Sequence, residues 1–254
     1  MSTKLYVVTA AYNCQDYIST CLEMLSLQTY ENWGGIVIDD ASSDLTPKII
    51  QERCPSNMKY ILNSKRVCEL DNQYPAIMNA NLNDEDVIVI VDGDDWLYAK
   101  DSLAKLALFY EDLDVWMTYG SFQIFPSGKR GKDSRPVPKG YDFRKDQWVL
   151  SHLRTYKYFL FKNIFEEDLR SSTGEFFNHN TDTATMKPMA EMAGWDHIKY
   201  IHDFLLVYNS ANPLGEGKSE DRRRVSASSG KEIYNKPRYK THSKQELIDG
   251  IKDR

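Results

Sequence analysis

Apolar and polar residues alternate in regular blocks along the first half of the chain. Five short apolar runs predict buried strands, at residues 4–10, 34–40, 58–63, 86–92 and 114–120. Four intervening stretches carry a helical pattern, at residues 15–28, 43–54, 72–83 and 101–113. This repeated strand–helix order favours an α/β fold, a Rossmann-like and mostly parallel sheet flanked by helices.

The second half does not continue this alternation. Residues 121–140 are rich in Gly, Pro, Lys and Arg and predict a mobile loop. A helical pattern follows at residues 181–194, with Thr181 or Asp182 near its start and Gly194 at its end. Residues 197–209 predict one or two further strands.

Composition places the chain among ordinary globular proteins. It has 254 residues, 41% of them hydrophobic, and a net charge of −5, which favours neither nucleic acid nor a membrane as a general partner. The N-terminal residues do not form a signal peptide, and no apolar run is long enough to span a membrane, so we expect a cytoplasmic protein. The four cysteines lack CxxC spacing and predict free thiols rather than a zinc site: Cys14, Cys21, Cys54 and Cys68.

Carboxylates follow two of the predicted strands. Asp39 and Asp40 end the second strand, and Asp92, Asp94 and Asp95 follow the fourth. Ligands of parallel α/β sheets bind outside the carboxyl ends of the strands. Carboxylates this close repel one another unless a cation such as Mg²⁺ or Mn²⁺ neutralises them, and a substrate diphosphate commonly completes the shell of such a cation. A solvated acidic turn that caps the next helix is the alternative interpretation.

Several short motifs taken together resemble those of the family 2 glycosyltransferases, which have the GT-A fold. The Tyr12–Asn13 pair follows the first strand, and a helix then ends near Gln28–Thr29. The second strand ends in "DDASSD" at residues 39–44, and "VDGDDW" at residues 91–96 is similar to the metal motif of the family. The resemblance is strong over residues 4–120 and weak over residues 175–210.

The resemblance implies a role for each of these residues in binding a nucleotide sugar. Asp40 would face the nucleobase, Asp92 or Asp94 would hold the ribose, and Asp94 or Asp95 would bind Mn²⁺ or Mg²⁺. Five further residues are expected around the nucleotide: Tyr12 with its neighbours Ala10 and Asn13 in the base pocket, and Lys65 and Arg66 beside the base or the phosphates. The alanines at 10 and 11 replace residues that often carry a hydroxyl group in the family, and a solvated face is the alternative for Lys65 and Arg66.

An inverting transferase also needs a base that takes the proton of the acceptor hydroxyl group. By the same resemblance Asp182, at the start of the helix at 181–194, is the expected base. Glu175 and Asp168 are the rival acids, and a plain helix cap is the alternative role of Asp182. The five histidines are left without a role.

The expected activity is therefore inverting, metal-dependent transfer of a sugar, from a UDP-sugar or another nucleotide sugar, to an acceptor hydroxyl group. Residues 1–120 would form the donor-binding half and residues 121–212 the acceptor half with the base. The alternatives are a nucleotidyltransferase and a non-catalytic nucleotide-binding module. The first usually has a Gly- and Lys-containing loop after strand one, which "TAAYNCQDY" lacks. Glycans, lipids, proteins and nucleic acids all remain open as acceptors, and the oligomeric state is open too.

The C-terminal part, residues 213–254, contains a basic stretch. Residues 216–244 carry nine basic and four acidic side chains, a net charge of +5. Three roles are open: a lid whose Arg222, Arg223 or Arg224 pairs with the donor diphosphate, a docking surface for an anionic acceptor, and a solvated tail.

Overall fold

Strands of a single sheet run through the molecule. A computed structural model of the chain describes residues 2–131, 134–214, 220–250 and 253, with the backbone alone for residues 220–223. The strands are β1 (Leu5–Ala11), β2 (Trp33–Asp39), β3 (Met58–Leu62), β4 (Val87–Ile90), β5 (Trp96–Leu97), β6 (Met117–Phe125), β7 (Lys129–Arg130), β8 (Arg154–Lys157) and β9 (Ile198–Asn209). Their order is β3-β2-β1-β4-β8-β6-β9-β5, with β7 beside β6.

Helices cover both faces of this sheet, which confirms the predicted α/β fold. They are α1 (Ile18–Ser26), α2 (Thr46–Arg53), α3 (Glu69–Met78), α4 (Ser102–Phe109), α5 (Tyr158–Phe161), α6 (Thr181–Ala193), α7 (Glu220–Asn235) and α8 (Lys244–Ile248). Short 3-10 helices lie at Glu166–Leu169 and Trp195–His197.

The first four strands form the parallel part of the sheet. β1 pairs in parallel with both β2 and β4, and β2 with β3. Successive residues of these strands enter opposite hydrophobic clusters, with Val7 and Val89 in one and Val8 and Ile88 in the other. Burial on both faces explains why the strands read as continuous apolar runs. Because the strands are parallel, the acids that follow β2 and β4 lie at the same edge of the sheet.

The second half of the sheet is mixed. β8 lies antiparallel between β4 and β6, and β6 pairs in parallel with β9. The predicted mobile loop at 121–140 is wrong for its first part, since β6 continues to Phe125 and turns back through β7. Long-range contacts stabilise this hairpin: the hydroxyl groups of Ser121 and Tyr200 lie 2.6 Å apart, and the ring of Phe122 fills the space beside Gly131.

Helix boundaries also differ from the predicted ones, most of all in α3 and α4. α3 begins at Glu69 rather than at residue 72 and ends at Met78, and α4 ends at Phe109 rather than at residue 113. The early start of α3 is set by a distant contact, because the N–H group of Cys68 donates to Asp40 at the end of β2. Glu69 then lies in the first helical turn, where the helix dipole favours an acid.

Residues 224–250, here called the C-terminal segment, fold against the rest of the molecule. Ile233, Tyr239 and Leu247 of this segment are buried in the hydrophobic core. These residues are therefore not a solvated tail. The side chains of Arg222 and Arg223, which were named for a lid, lie outside the described residues, whereas Arg224 is exposed.

Across the described residues, we find no helix whose length and apolar composition would let it cross a membrane. The four cysteines are free thiols; Cys14 and Cys21 are buried, and Cys54 and Cys68 are partly exposed.

Candidate active site

A cavity of about 570 Å³ opens where the parallel strands end. Its walls come from the ends of β1, β2 and β4, from the start of α3, from β8 and from the start of α6. Eight of the sequence-predicted residues line it: Ala10, Tyr12, Asp40, Arg66, Asp92, Asp94, Asp95 and Asp182. Residues that are far apart in sequence, and that were assigned to donor, metal and base, therefore share one cavity.

Asp40 is buried at one end of the cavity and accepts several hydrogen bonds. Its Oδ1 accepts from the backbone N–H of Val67 at 2.9 Å and from Nδ2 of Asn63 at 3.0 Å, and its Oδ2 accepts from the N–H of Cys68 at 2.9 Å. Burial alone would raise the pKa of Asp40, but these donors lower it below its ordinary value. The carboxylate thus stays charged and fixes the segment that leads into α3.

Tyr12 and Arg66 lie beside Asp40. The guanidinium carbon of Arg66 lies 3.9 Å from the centre of the Tyr12 ring, a cation–π arrangement, and Nε of Arg66 lies 4.0 Å from Oδ2 of Asp40. Arg66 is about half exposed in this position. A flat ring, a guanidinium group and a carboxylate at one end of the cavity suit a nucleobase and its ribose.

Asn13 and Lys65 do not line the cavity. Oδ1 of Asn13 accepts from the N–H of Ser43 at 2.8 Å, and the N–H of Asn13 donates to Oγ of Ser42 at 2.9 Å. Asn13 therefore ties the loop after β1 to the loop after β2. Lys65 is exposed. Direct contact of either residue with a donor stays a prediction.

The three acids after β4 form the centre of the cavity. Oδ2 of Asp94 accepts from Nδ2 of Asn212 at 2.6 Å, and Oδ1 of Asp95 accepts from the N–H of Asn209 at 2.8 Å. Burial raises the pKa of Asp94, and the nearby charge of Asp92 raises it further. Burial, together with Asp94 and Asp92, raises the pKa of Asp95 well above its ordinary value. Both acids thus need a positive partner to remain charged.

The donor atoms present fit a divalent cation. Asp92, Asp95 and His152 each offer one ligand atom, and these atoms all lie within 4.8 Å of one another. Oδ2 of Asp95 is buried and has no hydrogen-bond partner among the described residues, so it is free to bind a cation. Carboxylate oxygens and a neutral imidazole are ligands that Mn²⁺ accepts. His152 was left without a role in the sequence analysis, because only the fold brings it beside residues 92 and 95.

Arg154 is a buried cation that the sequence analysis also missed. Its Nη2 lies 3.2 Å from Oδ2 of Asp92 and 3.1 Å from Nε2 of His152, and its Nη1 lies 3.7 Å from Oδ2 of Asp182. A guanidinium group has only donors, so Nε2 of His152 must accept and the ring is neutral. Burial and the charge of Arg154 accordingly lower the pKa of His152 well below its ordinary value. Arg154 thus connects the acid cluster to Asp182.

Asp182 lies in the first turn of α6 and faces the cavity. Its Oδ1 accepts from the N–H of Thr183 at 2.7 Å, which leaves Oδ2 turned towards Arg154. The two rival acids do not line the cavity. Asp168 is buried and accepts from the hydroxyl group of Tyr239 at 2.7 Å, and Glu175 is exposed. Of the three acids considered for the base, Asp182 alone stands at the cavity.

Glu69 is a further acid in the cavity, and it too escaped the sequence analysis. Its Oε2 accepts from the hydroxyl group of Thr181 at 2.6 Å, and its Oε1 accepts from Nε2 of Gln73 at 2.9 Å. Burial and the charge of Asp92 raise the pKa of Glu69 to about 7. The local sequence carried no signal for Glu69, because the predicted helix began at residue 72 and the contact that precedes the start of α3 comes from Asp40.

Comparison with known protein families identifies the family of this chain. The model of the family described as "Glycosyl transferase family 2" matches residues 6–169. The glycosyltransferase GlyA of Streptococcus pneumoniae serotype 4 is 26% identical over 121 residues, which cover 46% of this chain and 17% of GlyA. WfaP of Escherichia coli, named a UDP-Glc:alpha-D-GlcNAc-diphosphoundecaprenol beta-1,3-glucosyltransferase, is 29% identical over 124 residues, 46% of this chain and 45% of WfaP. The matches thus span less than half of either relative.

Solved structures of low sequence identity share the fold. S. aureus TarS 1-349 in complex with UDP-GlcNAc superposes with a TM-score of 0.64 at 18% identity, covering 92% of this chain and 67% of that one. The mannosyltransferase PcManGT from Pyrobaculum calidifontis, in complex with GDP-Man and Mn²⁺, gives a TM-score of 0.62 at 16% identity, covering 92% of this chain and 63% of that one. The expected GT-A architecture is confirmed.

Proposed function

The chain belongs to glycosyl transferase family 2, and from that premise we propose that it is an inverting, metal-dependent glycosyltransferase. It would move a sugar from a nucleotide-sugar donor to an acceptor hydroxyl group. The observation that carries this proposal is the single cavity in which Asp40, the acids after β4 and Asp182 meet.

The donor would lie along this cavity with its base at the Asp40 end. Tyr12 and Arg66 would contact the base or ribose, and Asp92 or Asp94 the ribose hydroxyl groups. We propose a UDP-sugar as the donor, supported by TarS in complex with UDP-GlcNAc, while PcManGT in complex with GDP-Man keeps a guanine donor open for testing.

Mn²⁺ or Mg²⁺ would be held by Asp95 together with Asp92 or Asp94, and His152 would join them by turning its Nε2 from Arg154 to the cation. The unpartnered Oδ2 of Asp95 and the mutual repulsion of the three acids support this assignment. A divalent cation at this site supplies positive charge that offsets the charge of a departing nucleoside diphosphate. In PcManGT, a protein of the same fold, Mn²⁺ accompanies GDP-Man.

Asp182 would act as the base. Its carboxylate takes the proton of the acceptor hydroxyl group while the acceptor oxygen bonds to the anomeric carbon. The bond from that carbon to the diphosphate oxygen breaks, and the nucleoside diphosphate leaves with the bonding electrons. Attack from the face opposite the leaving group inverts the anomeric centre. Nη1 of Arg154, 3.7 Å from Oδ2 of Asp182, would help to orient this carboxylate in the cavity.

The test combines a donor panel with two matched variants. The protein is incubated with UDP- and GDP-sugars and Mn²⁺, and release of nucleoside diphosphate is measured. We expect release with one donor class, no release in EDTA, and recovery on adding Mn²⁺. Asp182→Asn should lower the rate by roughly 10²–10⁴-fold with donor affinity unchanged, the usual effect of losing a general base. Glu175→Gln, at the exposed rival acid, is the control.

Three outcomes would contradict the proposal. Formation of a nucleotide sugar and inorganic diphosphate from a nucleoside triphosphate and a sugar 1-phosphate would support the nucleotidyltransferase alternative. Donor binding without turnover across the panel would support the non-catalytic module. Full activity in EDTA would remove the metal from the mechanism. The acceptor class and the cytoplasmic location stay predictions.

A further inference from the structure

The turn that carries Asp182 is held by the C-terminal segment. Asn180, which precedes α6, donates from Nδ2 to the backbone oxygen of Ser226 at 2.6 Å, and Oγ of Ser226 donates to Oδ1 of Asn180 at 3.1 Å. Asn180 has a φ of +53°, a left-handed conformation that few residues other than Gly and Asn adopt readily. Two hydrogen bonds between Asn180 and Ser226 of α7 thus stabilise the backbone two residues before the proposed base.

The same turn also bonds to α3. The hydroxyl group of Thr181 donates to Oε2 of Glu69 at 2.6 Å. Asn180 and Thr181 therefore bond to different elements, one from the C-terminal segment and one from the donor-binding half. Asp182 comes directly after this pair, so its position depends on both contacts.

The C-terminal segment is itself fixed along α6. Arg144 forms a buried ion pair with Glu191 of α6 and donates from Nη1 to the backbone oxygen of Ile233 at 2.9 Å. The N–H group of Tyr239 donates to Oε2 of Glu191 at 3.1 Å, and Ile233 and Tyr239 are buried. Because α7 is anchored near its end, Ser226 presents a fixed partner to Asn180.

We propose that the C-terminal segment is a positioning element for the base, acting through the Ser226–Asn180 contact. This proposal rests on the proposed role of Asp182. The matched family model ends at residue 169, so this contact lies wholly outside it. Ser226 and Asn180 are positioning residues that do not bind the donor. A base must lie within hydrogen-bond reach of the acceptor proton, and a displacement of about 1 Å is enough to cost up to 10²-fold in rate.

Two variants remove the contact, and each has a matched control. Ser226→Ala removes one hydrogen bond. Its control is Thr241→Val, because Oγ1 of Thr241 also bonds the C-terminal segment to α6. That bond goes to the backbone oxygen of Glu191, near the other end of the helix. Asn180→Gly removes both hydrogen bonds and tolerates the positive φ. Asn81→Gly is its control, since Asn81 is an exposed residue with a φ of +51°.

The measurements are kcat, KM for the donor, donor affinity by calorimetry, and melting temperature. We expect Ser226→Ala and Asn180→Gly to lower kcat by about tenfold or more, with donor affinity within twofold of the parent. The double variant should lose no more than Asn180→Gly alone, because both changes remove one contact. The two controls should keep kcat within twofold of the parent even where they lower the melting temperature.

Asp182→Asn is measured alongside and separates the two proposals. If Asp182→Asn abolishes turnover while Ser226→Ala and Asn180→Gly keep kcat within twofold, the positioning role is wrong and the role of the base stands. Equal losses of kcat in the variants and their controls would also overturn it, since they would indicate a general loss of stability. If Asp182→Asn retains full turnover, the base assignment itself fails.

Discussion

Two buried acids of this cavity show how neighbouring groups decide the charge of a carboxylate. Asp40 and Asp95 both follow parallel strands and both are almost fully buried. Backbone N–H groups on both oxygens keep the pKa of Asp40 below its ordinary value, whereas Asp95 has one such donor, two acidic neighbours and a raised pKa. Hydrogen bonds within the protein therefore stabilise the charge of Asp40, whereas Asp95 needs a cation to remain charged.

Glu69 gives a prediction on stability as a function of pH. Its pKa is raised to about 7 from an ordinary 4.5, so the folded protein keeps a proton that the unfolded chain releases. This contribution to stability is complete below about pH 4.5 and is lost as the pH rises to about 7. Relative to the parent, Glu69→Gln should gain stability over this interval, on the order of 1–3 kcal/mol, and then level off.

The measurement is the difference in melting temperature between Glu69→Gln and the parent from pH 4 to pH 8, in EDTA. Gln73→Glu is not a suitable control because it adds a charge beside the site. Glu175→Gln, at an exposed acid, is the better one and should give a difference that is flat with pH. A flat difference for Glu69→Gln as well would contradict the prediction.

The sequence analysis identified the site residues that lie in short motifs and missed those whose position in the site depends on the fold. Asp40, the acids after β4 and Asp182 carry local signals, namely strand ends and a helix start. His152 and Arg154 lie in an aromatic stretch without a clear pattern, and their role depends on β8 lying antiparallel beside β4. Nothing in the local sequence specifies that neighbour.

Whole strands and helices were likewise predictable only where their signals are local in the sequence. The four parallel strands were predictable because apolar runs and helical periodicity are local. The extension of β6 to Phe125 was not, since it depends on pairing with β9, far along the chain. The sequence analysis identified α7 only as a basic stretch. Among the described residues of α7, Ile233 alone lies in the buried core. A single apolar position does not establish a buried helix face.

Helix α6 gives the prediction at the scale of elements. Lys187 of this helix is fully buried; its Nζ donates to the oxygen of Phe143 at 2.6 Å and lies 3.1 Å from the centre of the Tyr234 ring. Burial and the charge of Arg144 lower the pKa of Lys187 to about 7 from 10.5. Between these two values the unfolded chain binds the proton that the folded protein has released, so stability rises with pH there.

Lys187→Met removes this dependence. The variant should be most stable relative to the parent at pH 6, where the parent must bury a charge, and its advantage should shrink as the pH rises from 7 to 10. Melting temperatures of both proteins across pH 6–10 test this. Lys231→Met, at an exposed lysine of α7, is the control and should show no such trend. An advantage that does not change with pH would contradict the assignment.

At the scale of the whole molecule, the cavity is lined by residues from both parts of the chain. Asp40 and Arg66 belong to the parallel part, and Arg154 and Asp182 to the part that follows. A donor and its cation would contact both parts at once. The cation would also offset the repulsion among the acids after β4. Ligand binding should therefore stabilise the molecule as a whole.

This argument predicts a large thermal shift. Mn²⁺ with UDP at about 100 times the dissociation constant should add about 2.7 kcal/mol to the free energy of unfolding, because a ligand of the folded state alone stabilises that state. For a chain of this size, that corresponds to a rise in melting temperature of roughly 5–10 °C. Asp95→Asn should melt higher than the parent without metal, because it removes one carboxyl group from the cluster of three acids, and should lose most of the rise with Mn²⁺ and UDP. A parent whose melting temperature moves by no more than about 1 °C, or an Asp95→Asn variant that responds like the parent, would show that the acids after β4 do not bind the cation.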